Sequence, residues 1–208
     1  MRVLLTSHRP LRDGVAGQRL SWLCEKLSAS HEVRIVQAGL TRDTPADVRV
    51  VVCNADDPCA DLPFDLPSLD HDRAGLPTFH SLSNSELAAY REAFRNALDA
   101  EIDAFDPDVV HVQHLWIDGH LILESGAPYV VSAYQTEWTA AQADRRFRRF
   151  VRETAENASR VLTDDLTLRG QLAKRFELPR ERFSDAALTV EQLTALYREV
   201  HECRFGRR

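Results

Sequence analysis

Short apolar stretches alternate with longer amphipathic stretches along most of the chain. The stretches RVLLTS, VRIVQ and VRVVV are apolar and β-branched and end near Gly, Pro or Asp, which predicts three buried strands. Later apolar stretches at residues 108–113, 128–134 and 160–164 predict three more strands. Strands that alternate with helices at this interval form right-handed βαβ units. We therefore predict an α/β fold, a three-layer Rossmann-like domain with a mainly parallel sheet of about six strands.

The clearest helical pattern follows Ser83. Apolar side chains recur at spacings of three and four from Leu87 to Phe105, and Ser83 and Glu86 have the spacing of a capping box. Further helices are predicted after the first strand and over residues 117–125, 137–157, 165–176 and 189–202. Residues 54–82 are rich in Pro and Asp and show no period, which predicts a long loop.

The composition is that of one globular domain. The chain has 208 residues, of which 28% are charged and 44% hydrophobic. Its net charge of −6 does not favour binding to nucleic acid or to an anionic membrane. No apolar run approaches the roughly 18 residues of a membrane span, and the first one breaks at His8, too early for a secretory signal. We therefore expect a cytoplasmic protein with reduced cysteines and no membrane span.

Ligands of an open parallel sheet bind beyond the carboxyl ends of its strands, where loops and helix N-termini converge. The first such loop holds Gly14 and Gly17 in a G-x-x-G pattern before the first helix, followed by Gln18 and Arg19. Glycines there let backbone N–H groups approach an anion or a sugar oxygen, and the alternative is a purely structural turn. The pattern is not the G-x-G-x-x-G of dinucleotide sites, and no cofactor is predicted.

Two histidines lie three residues apart at the end of the predicted fourth strand. Side chains at that spacing point to opposite faces of a strand, so His111 and His114 do not predict a metal site. We expect His111 to be satisfied inside the strand by a backbone or water partner. We expect His114 and Trp116 to emerge into the crevice at the carboxyl end of the strand, with a structural role as the alternative for His114.

A mixture of polar and aromatic side chains follows the predicted fifth strand. Gln135, Thr136 and Glu137 supply an amide, a hydroxyl and a carboxylate between Tyr134 and Trp138. Such a mixture suits recognition of a sugar or a polyol. The alternative is structural, with Thr136 capping a helix, Trp138 packing and Glu137 complementing the helix dipole.

A row of arginines marks the helix predicted over residues 137–157. Arg145, Arg148, Arg149 and Arg152 recur at spacings of three and four and form one positive stripe. Stripes of this kind are usually solvated helix faces, and an anionic partner is the alternative.

The order and spacing of several segments resemble a known family. MRVLLTS, then GVAGQR before a helix, then SHEVRIV resembles the amino-terminal half of GT-B retaining glycosyltransferases of family 4. The segments DPDVVHVQH, GAPYVVSAYQT and ASRVLTDDL resemble the fourth, fifth and sixth strand motifs of that family. The similarity covers residues 1 to about 183, apart from loop 54–82. In that family this domain binds the acceptor, and a second Rossmann-like domain binds the nucleotide-sugar.

The resemblance implies roles for several residues, according to the family positions with which they align. It places the loop from Gly14 to Gly17 near the donor phosphates, and His111, His114 and Trp116 on the acceptor side. The family commonly has His at the end of the fifth strand, where this chain has Gln135. Because Gln does not titrate near neutrality, the catalytic residue stays unassigned.

The chain departs from the family after Phe183. The family continues with a whole donor domain, whereas residues 184–208 resemble the last helix of the full enzyme, which packs back on the first domain. We therefore expect a Rossmann-like acceptor domain over residues 1–183 and a returning terminal helix over residues 184–208. The intact reaction would transfer sugar with retention and without a metal.

Three functions stay open at this point. The first is the acceptor-binding half of a nucleotide-sugar-dependent glycosyltransferase, inactive alone, which binds a small-molecule or glycan acceptor and meets the nucleotide-sugar only with the missing second domain. The second is a non-catalytic Rossmann-like binding or regulatory module. The third is a different small Rossmann-like enzyme that uses His114, Glu137 or Asp165 in acid–base chemistry.

Overall fold

Seven parallel strands form one sheet in the computed structural model, which describes residues 1–11, 13–69 and 77–205. The strands are β1 (Arg2–Ser7), β2 (Glu32–Gly39), β3 (Val48–Val52), β4 (Val109–Gln113), β5 (Tyr129–Ser132), β6 (Arg160–Leu162) and β7 (Phe183–Ser184). Their order across the sheet is β3-β2-β1-β4-β5-β6-β7. The direction of winding reverses between β1 and β4, and the carboxyl ends of such a strand pair are where open α/β sheets bind ligands.

Helices cover both faces of the sheet. They are α1 (Gly14–Leu27), α2 (Asn84–Phe105), α3 (Ile117–Ser125), α4 (Gln135–Ala143), α5 (Arg145–Asn157), α6 (Leu166–Phe176) and α7 (Val190–Phe205). α1 and α7 share a core cluster with one face of the sheet, and α2 to α6 share a core cluster with the other. The predicted three-layer α/β fold is confirmed. Its sheet has one strand beyond the expected six or so, because Phe183 and Ser184 pair with β6 at the edge.

The helix predicted over residues 137–157 is in fact two helices. Asp144 lies between α4 and α5 with extended backbone angles, φ −130° and ψ 120°. Its carboxylate accepts a hydrogen bond from the backbone N–H of Arg146 at 2.9 Å. An aspartate in this position caps the first turn of a new helix. The prediction was wrong because the apolar spacing continues through Asp144 while the backbone does not.

The terminal helix α7 packs on the face of the sheet that carries α1. Leu193, Leu196 and Tyr197 are buried there, in the same core cluster as Leu5 and Val109 of the sheet. These contacts remove a row of apolar side chains from water at both surfaces. The packing agrees with a returning helix, and the division at residue 183 into two units stays a prediction.

Part of the predicted loop 54–82 packs against the domain. Short parallel bridges join Cys53 to Leu62 and Ser68 to Thr78. Phe79 is fully buried, with its ring centroid 5.1 Å from that of Tyr90. Among the described residues, no helix is both long enough and apolar enough to cross a lipid bilayer.

Candidate functional site

A small crevice lies beyond the carboxyl ends of β1, β4 and β5. It has a volume of about 260 Å³, smaller than several depressions on the outer surface, but it lies at the strand ends where this class of sheet binds ligands. Its lining residues are Arg9, Asp13, Gly14, Val15, Ala16, Leu69, His114, Tyr134, Gln135 and Thr136. We call this depression the crevice.

A buried carboxylate fixes the floor of the crevice. Oε1 of Glu137 accepts hydrogen bonds from the backbone N–H groups of Tyr134, at 2.7 Å, and Leu115, at 3.2 Å. Its Oε2 accepts one from the Thr136 hydroxyl at 3.1 Å and lies 3.2 Å from Nδ1 of His114. Four donors therefore compensate the burial of this group. Since Glu137 bonds to Leu115 as well as to its own helix, it joins the start of α4 to the loop after β4.

His114 is held in an unusual backbone conformation. Its φ angle is 117°, a region that residues with a side chain seldom occupy and that is often found at functional sites. The backbone N–H of His114 bonds to the carbonyl of Ser132 at 3.0 Å, which ties this conformation to the end of β5. The strain orients the imidazole toward Glu137 and away from the strand.

The second ring nitrogen of His114, Nε2, is not used in the contact with Glu137. Because the Glu137 carboxylate accepts from every neighbour, Nδ1 of His114 carries the proton that lies between them. Nε2 is then a hydrogen-bond acceptor in the neutral ring. It is buried and has no hydrogen-bond partner among the described residues. Nε2 is thus an unsatisfied acceptor within the protein, and a hydroxyl group can satisfy it.

His8 stands next to this pair, and the sequence reasoning did not select it. Its ring centroid lies 4.2 Å from that of His114, and neither of its ring nitrogens has a hydrogen-bond partner among the described residues. Burial lowers the pKa of His8 well below its usual value, and electrostatic interactions with His114 and Arg9 lower it further. His8 is therefore neutral in the folded protein. Its position directly after β1, at the carboxyl end of a strand, is the sequence signal that could have identified it.

Arg9 was also missed, and it ties two loops together beside the crevice. It donates hydrogen bonds to Asp13 at 3.0 Å and to the hydroxyl of Ser68 at 2.9 Å. The contact with Ser68 joins the loop after β1 to the packed part of loop 54–82. That loop therefore contributes to one wall of the crevice, where Leu69 lies.

The glycine loop is placed differently from expectation. Gly14 and Gly17 form the first turn of α1 and do not precede it. Gly14 lines the crevice with a φ angle of 65°, a conformation that a glycine adopts without strain. Gly17 is buried, and its N–H bonds to the carbonyl of Asp13 at 3.1 Å. The expectation that both glycines precede the helix was wrong because the helix begins at Gly14.

Two further candidates on α1 do not line the crevice. Gln18 is exposed, and Arg19 donates a hydrogen bond to the carbonyl of Ala186 at 2.6 Å. The guanidinium of Arg19 also lies 4.2 Å from the ring centroid of Trp22. Arg19 therefore braces the segment that leads into α7.

Trp116 lies in the core and not at the crevice. It is fully buried, and its ring stacks on that of Phe147 with a centroid distance of 4.5 Å. The ring of Phe79 meets it edge-on at 5.5 Å. The chain turns at His114, and Trp116 lies in the core cluster that the sheet shares with α2 to α6. The prediction that Trp116 emerges into the crevice was therefore wrong.

His111 is satisfied by side chains and not by backbone or water as expected. Its Nδ1 lies 2.5 Å from the hydroxyl of Tyr197, and its Nε2 lies 2.9 Å from the hydroxyl of Ser132. Burial lowers the pKa of His111 to about 3, with a further contribution from the charge of Arg19. His111 is thus a neutral core residue that joins α7 to the sheet.

The residues at the start of α4 lie together at the crevice. Gln135 is exposed and Thr136 is half-buried, and both line it. Tyr134 lies between them and the sheet, where its hydroxyl donates to the side-chain oxygen of Gln113 at 2.9 Å. Of the predicted site residues, the structure thus brings together Gly14, His114, Gln135, Thr136 and Glu137.

A buried acid lies near this cluster. Burial, with a smaller contribution from the charge of Glu137, raises the pKa of Asp118 to about 7, although backbone hydrogen bonds partly oppose the shift. The hydroxyl of Thr6 lies 3.5 Å from its Oδ2, whereas Oδ1 has no hydrogen-bond partner within the described ranges. Across those ranges, His, Cys, Asp and Glu side chains do not gather in groups of three that could hold a metal ion.

A parallel sheet with helices on both faces and a crevice at its strand ends defines a Rossmann-like α/β domain. A family model described as "Glycosyl transferase 4-like domain" matches residues 14–184. The chain therefore belongs to the glycosyl transferase 4-like domain family. No curated protein matches the chain.

Solved structures share the fold at low sequence identity. Sucrose-phosphate synthase from Thermosynechococcus elongatus is 13% identical with a TM-score of 0.61, over 88% of this chain and 47% of that enzyme. UDP-GlcNAc 2-epimerase from Neisseria meningitidis, bound to UDP-GlcNAc, is 10% identical with a TM-score of 0.55, over 88% of this chain and 46% of that one. The chain thus spans about half the length of these proteins.

A second structure of the same synthase matches over nearly its full length. It carries the designation 27_220_406_426 and is 12% identical, with a TM-score of 0.56 over 96% of this chain and 98% of that one. At these identities the similarity describes the fold alone.

Proposed function

We propose that this chain is the acceptor-binding half of a nucleotide-sugar-dependent glycosyltransferase that acts with retention. Membership of the glycosyl transferase 4-like family supports a sugar-transfer role. The observation that carries the proposal is the His114–Glu137 pair, which leaves a buried, unpartnered Nε2 on a residue that lines the crevice. Buried polar groups without partners are rare in folded proteins, and a ligand hydroxyl would satisfy this one.

The chemistry of the crevice suits a polyhydroxyl ligand. Nε2 of His114 accepts a hydrogen bond, the Thr136 hydroxyl both donates and accepts, and the Gln135 amide does both through separate atoms. Gly14 lets the chain approach a ligand without a side chain in the way. These groups recognise hydroxyls by position and supply no net charge of their own.

The chain alone is proposed to bind acceptor weakly and to transfer no sugar. Transfer requires donor and acceptor to be held in reacting geometry by both walls of a cleft. This chain spans 47% of the sucrose-phosphate synthase that it resembles, and the donor domain is proposed to be the missing part. Residues 1–183 would then form the acceptor domain, and residues 184–208 the helix that returns to it. A cytoplasmic setting fits its four free cysteines.

A non-catalytic binding or regulatory module is the second candidate. The observation that favours it is Gln135, which lies at the crevice where the family resemblance leads us to expect His. A Gln keeps a hydrogen bond to a sugar and loses any role that needs a charge. Both candidates use the same crevice, so they differ in turnover and not in the place of binding.

Saturation-transfer NMR against a panel of neutral mono- and disaccharides and UDP-glucose tests the proposal. We expect saccharide signals with the wild-type chain that are lost in His114→Ala and kept in the control His31→Ala, since His31 lies far from the crevice beside Thr194. UDP-glucose is expected to give no binding at micromolar protein. Micromolar binding of UDP-glucose would show that the donor site lies in this chain and would contradict the proposal.

A further inference from the structure

A groove rich in arginine lies between α4, α5 and α6, outside the crevice. It has a volume of about 440 Å³, within the range of small-molecule sites. Five arginines line it, namely Arg145, Arg148, Arg149, Arg152 and Arg175. Trp138 and Phe176 line it as well. We call this depression the arginine groove.

Helical spacing brings these side chains to one surface. The arginines of α5 recur at i, i+3, i+4 and i+7, while Phe147, Phe150 and Val151 are buried on the opposite side of that helix. Trp138 and Gln142 face the groove from α4, and Arg175 faces it from the last turn of α6. Three helices therefore contribute side chains to one surface. A solvated face of α5 alone would not involve α4 and α6.

Much of this positive charge has no internal partner. Within residues 1–11, 13–69 and 77–205, the side chains of Arg145, Arg148 and Arg175 form no ion pair with a carboxylate. Arg149 and Arg152 both pair with Glu153, at 3.0 Å and 3.8 Å, and Arg152 also pairs with Glu156 at 3.7 Å. The chain as a whole carries a net charge of −6, whereas this groove is a local cluster of positive charge. Guanidinium groups that converge in this way attract anions.

One of the guanidinium groups is held in place. Arg148 donates from Nε to the carbonyl of Ala141 and from Nη2 to the carbonyl of Gln142, each at 3.1 Å. These carbonyls belong to the last turn of α4, which leaves them open to such donors. A guanidinium fixed by two bonds loses less conformational entropy when an anion binds its other N–H groups.

The aromatic pair adds a second kind of contact. The rings of Trp138 and Phe176 meet edge-on with centroids 5.9 Å apart, and both side chains are half-buried. An exposed aromatic face beside arginines can pack against the apolar face of a sugar ring. The apolar side of α5 is buried in the core, so this helix offers no apolar face to a bilayer. The concave shape therefore favours a discrete ligand over a membrane surface.

Helix α4 lines both depressions. Gln135 and Thr136 line the crevice, and Trp138, in the same first turn of that helix, lines the arginine groove. We propose that the groove binds an anionic oligosaccharide, through sulfate, phosphate or carboxylate groups on its sugars. Resting on the proposed function, this segment would be the part of an acceptor glycan that extends from the crevice.

Indole NMR signals test the proposal directly. The chain has three tryptophans, and Trp138→Phe assigns the signal of the groove. The probes are a heparin-derived tetrasaccharide and neutral maltotetraose. We expect the charged probe to shift the Trp138 indole with a Kd that rises with salt, and the neutral probe to leave it in place.

Matched double variants separate a site from general attraction. Arg148→Gln with Arg175→Gln is expected to weaken binding of the charged tetrasaccharide about tenfold or more. Arg42→Gln with Arg198→Gln makes the same change in net charge elsewhere on the surface and is expected to change the Kd less than about twofold. Far-ultraviolet circular dichroism and thermal melting check that both variants fold.

Three results would overturn the proposal. The first is equal loss of affinity in both double variants, and the second is an equal indole shift with maltotetraose. The third is arginine-dependent binding to phosphatidylglycerol vesicles with no indole shift by the tetrasaccharide, which would indicate a membrane surface. The His114→Ala variant distinguishes the two sites, because the tetrasaccharide should still shift its Trp138 indole even if neutral saccharides never bind the crevice.

Discussion

Nδ1 of His114 lies 3.2 Å from Oε2 of Glu137, and this contact joins the end of one strand to the start of the helix after the next. Both side chains are buried, and the backbone of His114 is strained to make the contact. A buried carboxylate that orients a histidine sets which ring nitrogen carries the proton. The pair therefore determines what the crevice presents to a ligand.

The variant Glu137→Gln tests the role of this carboxylate. A Gln side chain keeps one oxygen for the backbone N–H groups and turns an NH₂ group toward His114, so Nδ1 of His114 becomes the acceptor and the proton moves to Nε2. We expect this change of tautomer in the long-range ¹H–¹⁵N spectrum of the histidine ring. The free energy of unfolding should fall by about 1–3 kcal/mol, because one buried acceptor is lost.

His111 is the internal control for that spectrum. Its ring nitrogens contact Tyr197 and Ser132, and neither belongs to the Glu137 network. Its signals should stay unchanged in Glu137→Gln. An unchanged tautomer at His114 would contradict the assignment of the proton to Nδ1.

The variant Asp118→Asn should change how stability depends on pH. Burial raises the pKa of Asp118 to about 7 in the folded chain, above its usual 3.8 in the unfolded one. The folded state therefore holds the proton through a pH window in which the unfolded state releases it. As pH rises through that window, the wild type loses stability, and Asn, which has no proton to lose, does not.

Urea unfolding of both chains measures this difference. We expect the stability of Asp118→Asn relative to wild type to increase by roughly 3–4 kcal/mol between about pH 4 and about pH 8. Asp43→Asn is the control, because Asp43 is exposed. A pH profile for Asp118→Asn that runs parallel to wild type would show that Asp118 ionises normally in the fold.

The packing of α7 predicts a large cost for Leu193→Ala. Leu193 is almost fully buried against the sheet, so its truncation should lower the free energy of unfolding by about 2–5 kcal/mol. Arg198 is exposed on the same helix, and Arg198→Ala should change it by less than about 0.5 kcal/mol. Chemical denaturation of both variants checks the pair. Equal, small effects would mean that α7 detaches in solution.

Local sequence signals account for the elements, and contacts between distant residues account for the site. Ser83 and Glu86 form the predicted capping box, because both partners lie within one turn of α2. The break at Asp144 was hidden because apolar spacing continues across it. Such features depend on backbone angles that no local pattern encodes.

The site depends on longer connections. Tyr197 satisfies His111 from 86 residues away, and no periodicity reveals such a pair. The burial of Trp116 follows from the positive φ angle at His114, which sequence alone does not show. The topology rule did locate the crevice, since Gly14, Gln135 and Thr136 follow strand ends and line it.

The account rests on the crevice as the acceptor site, and the histidine ring signals test this most directly. The chain has eight histidines. His114 lines the crevice and His8 packs against it, whereas His31 lies near α7 and His201 lies on that helix. Titration with the neutral saccharide panel should shift the ¹³Cε1 signals of His8 and His114 and leave those of His31 and His201 in place. Shifts confined to His31 and His201, or saccharide binding that leaves His8 and His114 unmoved, would contradict the account.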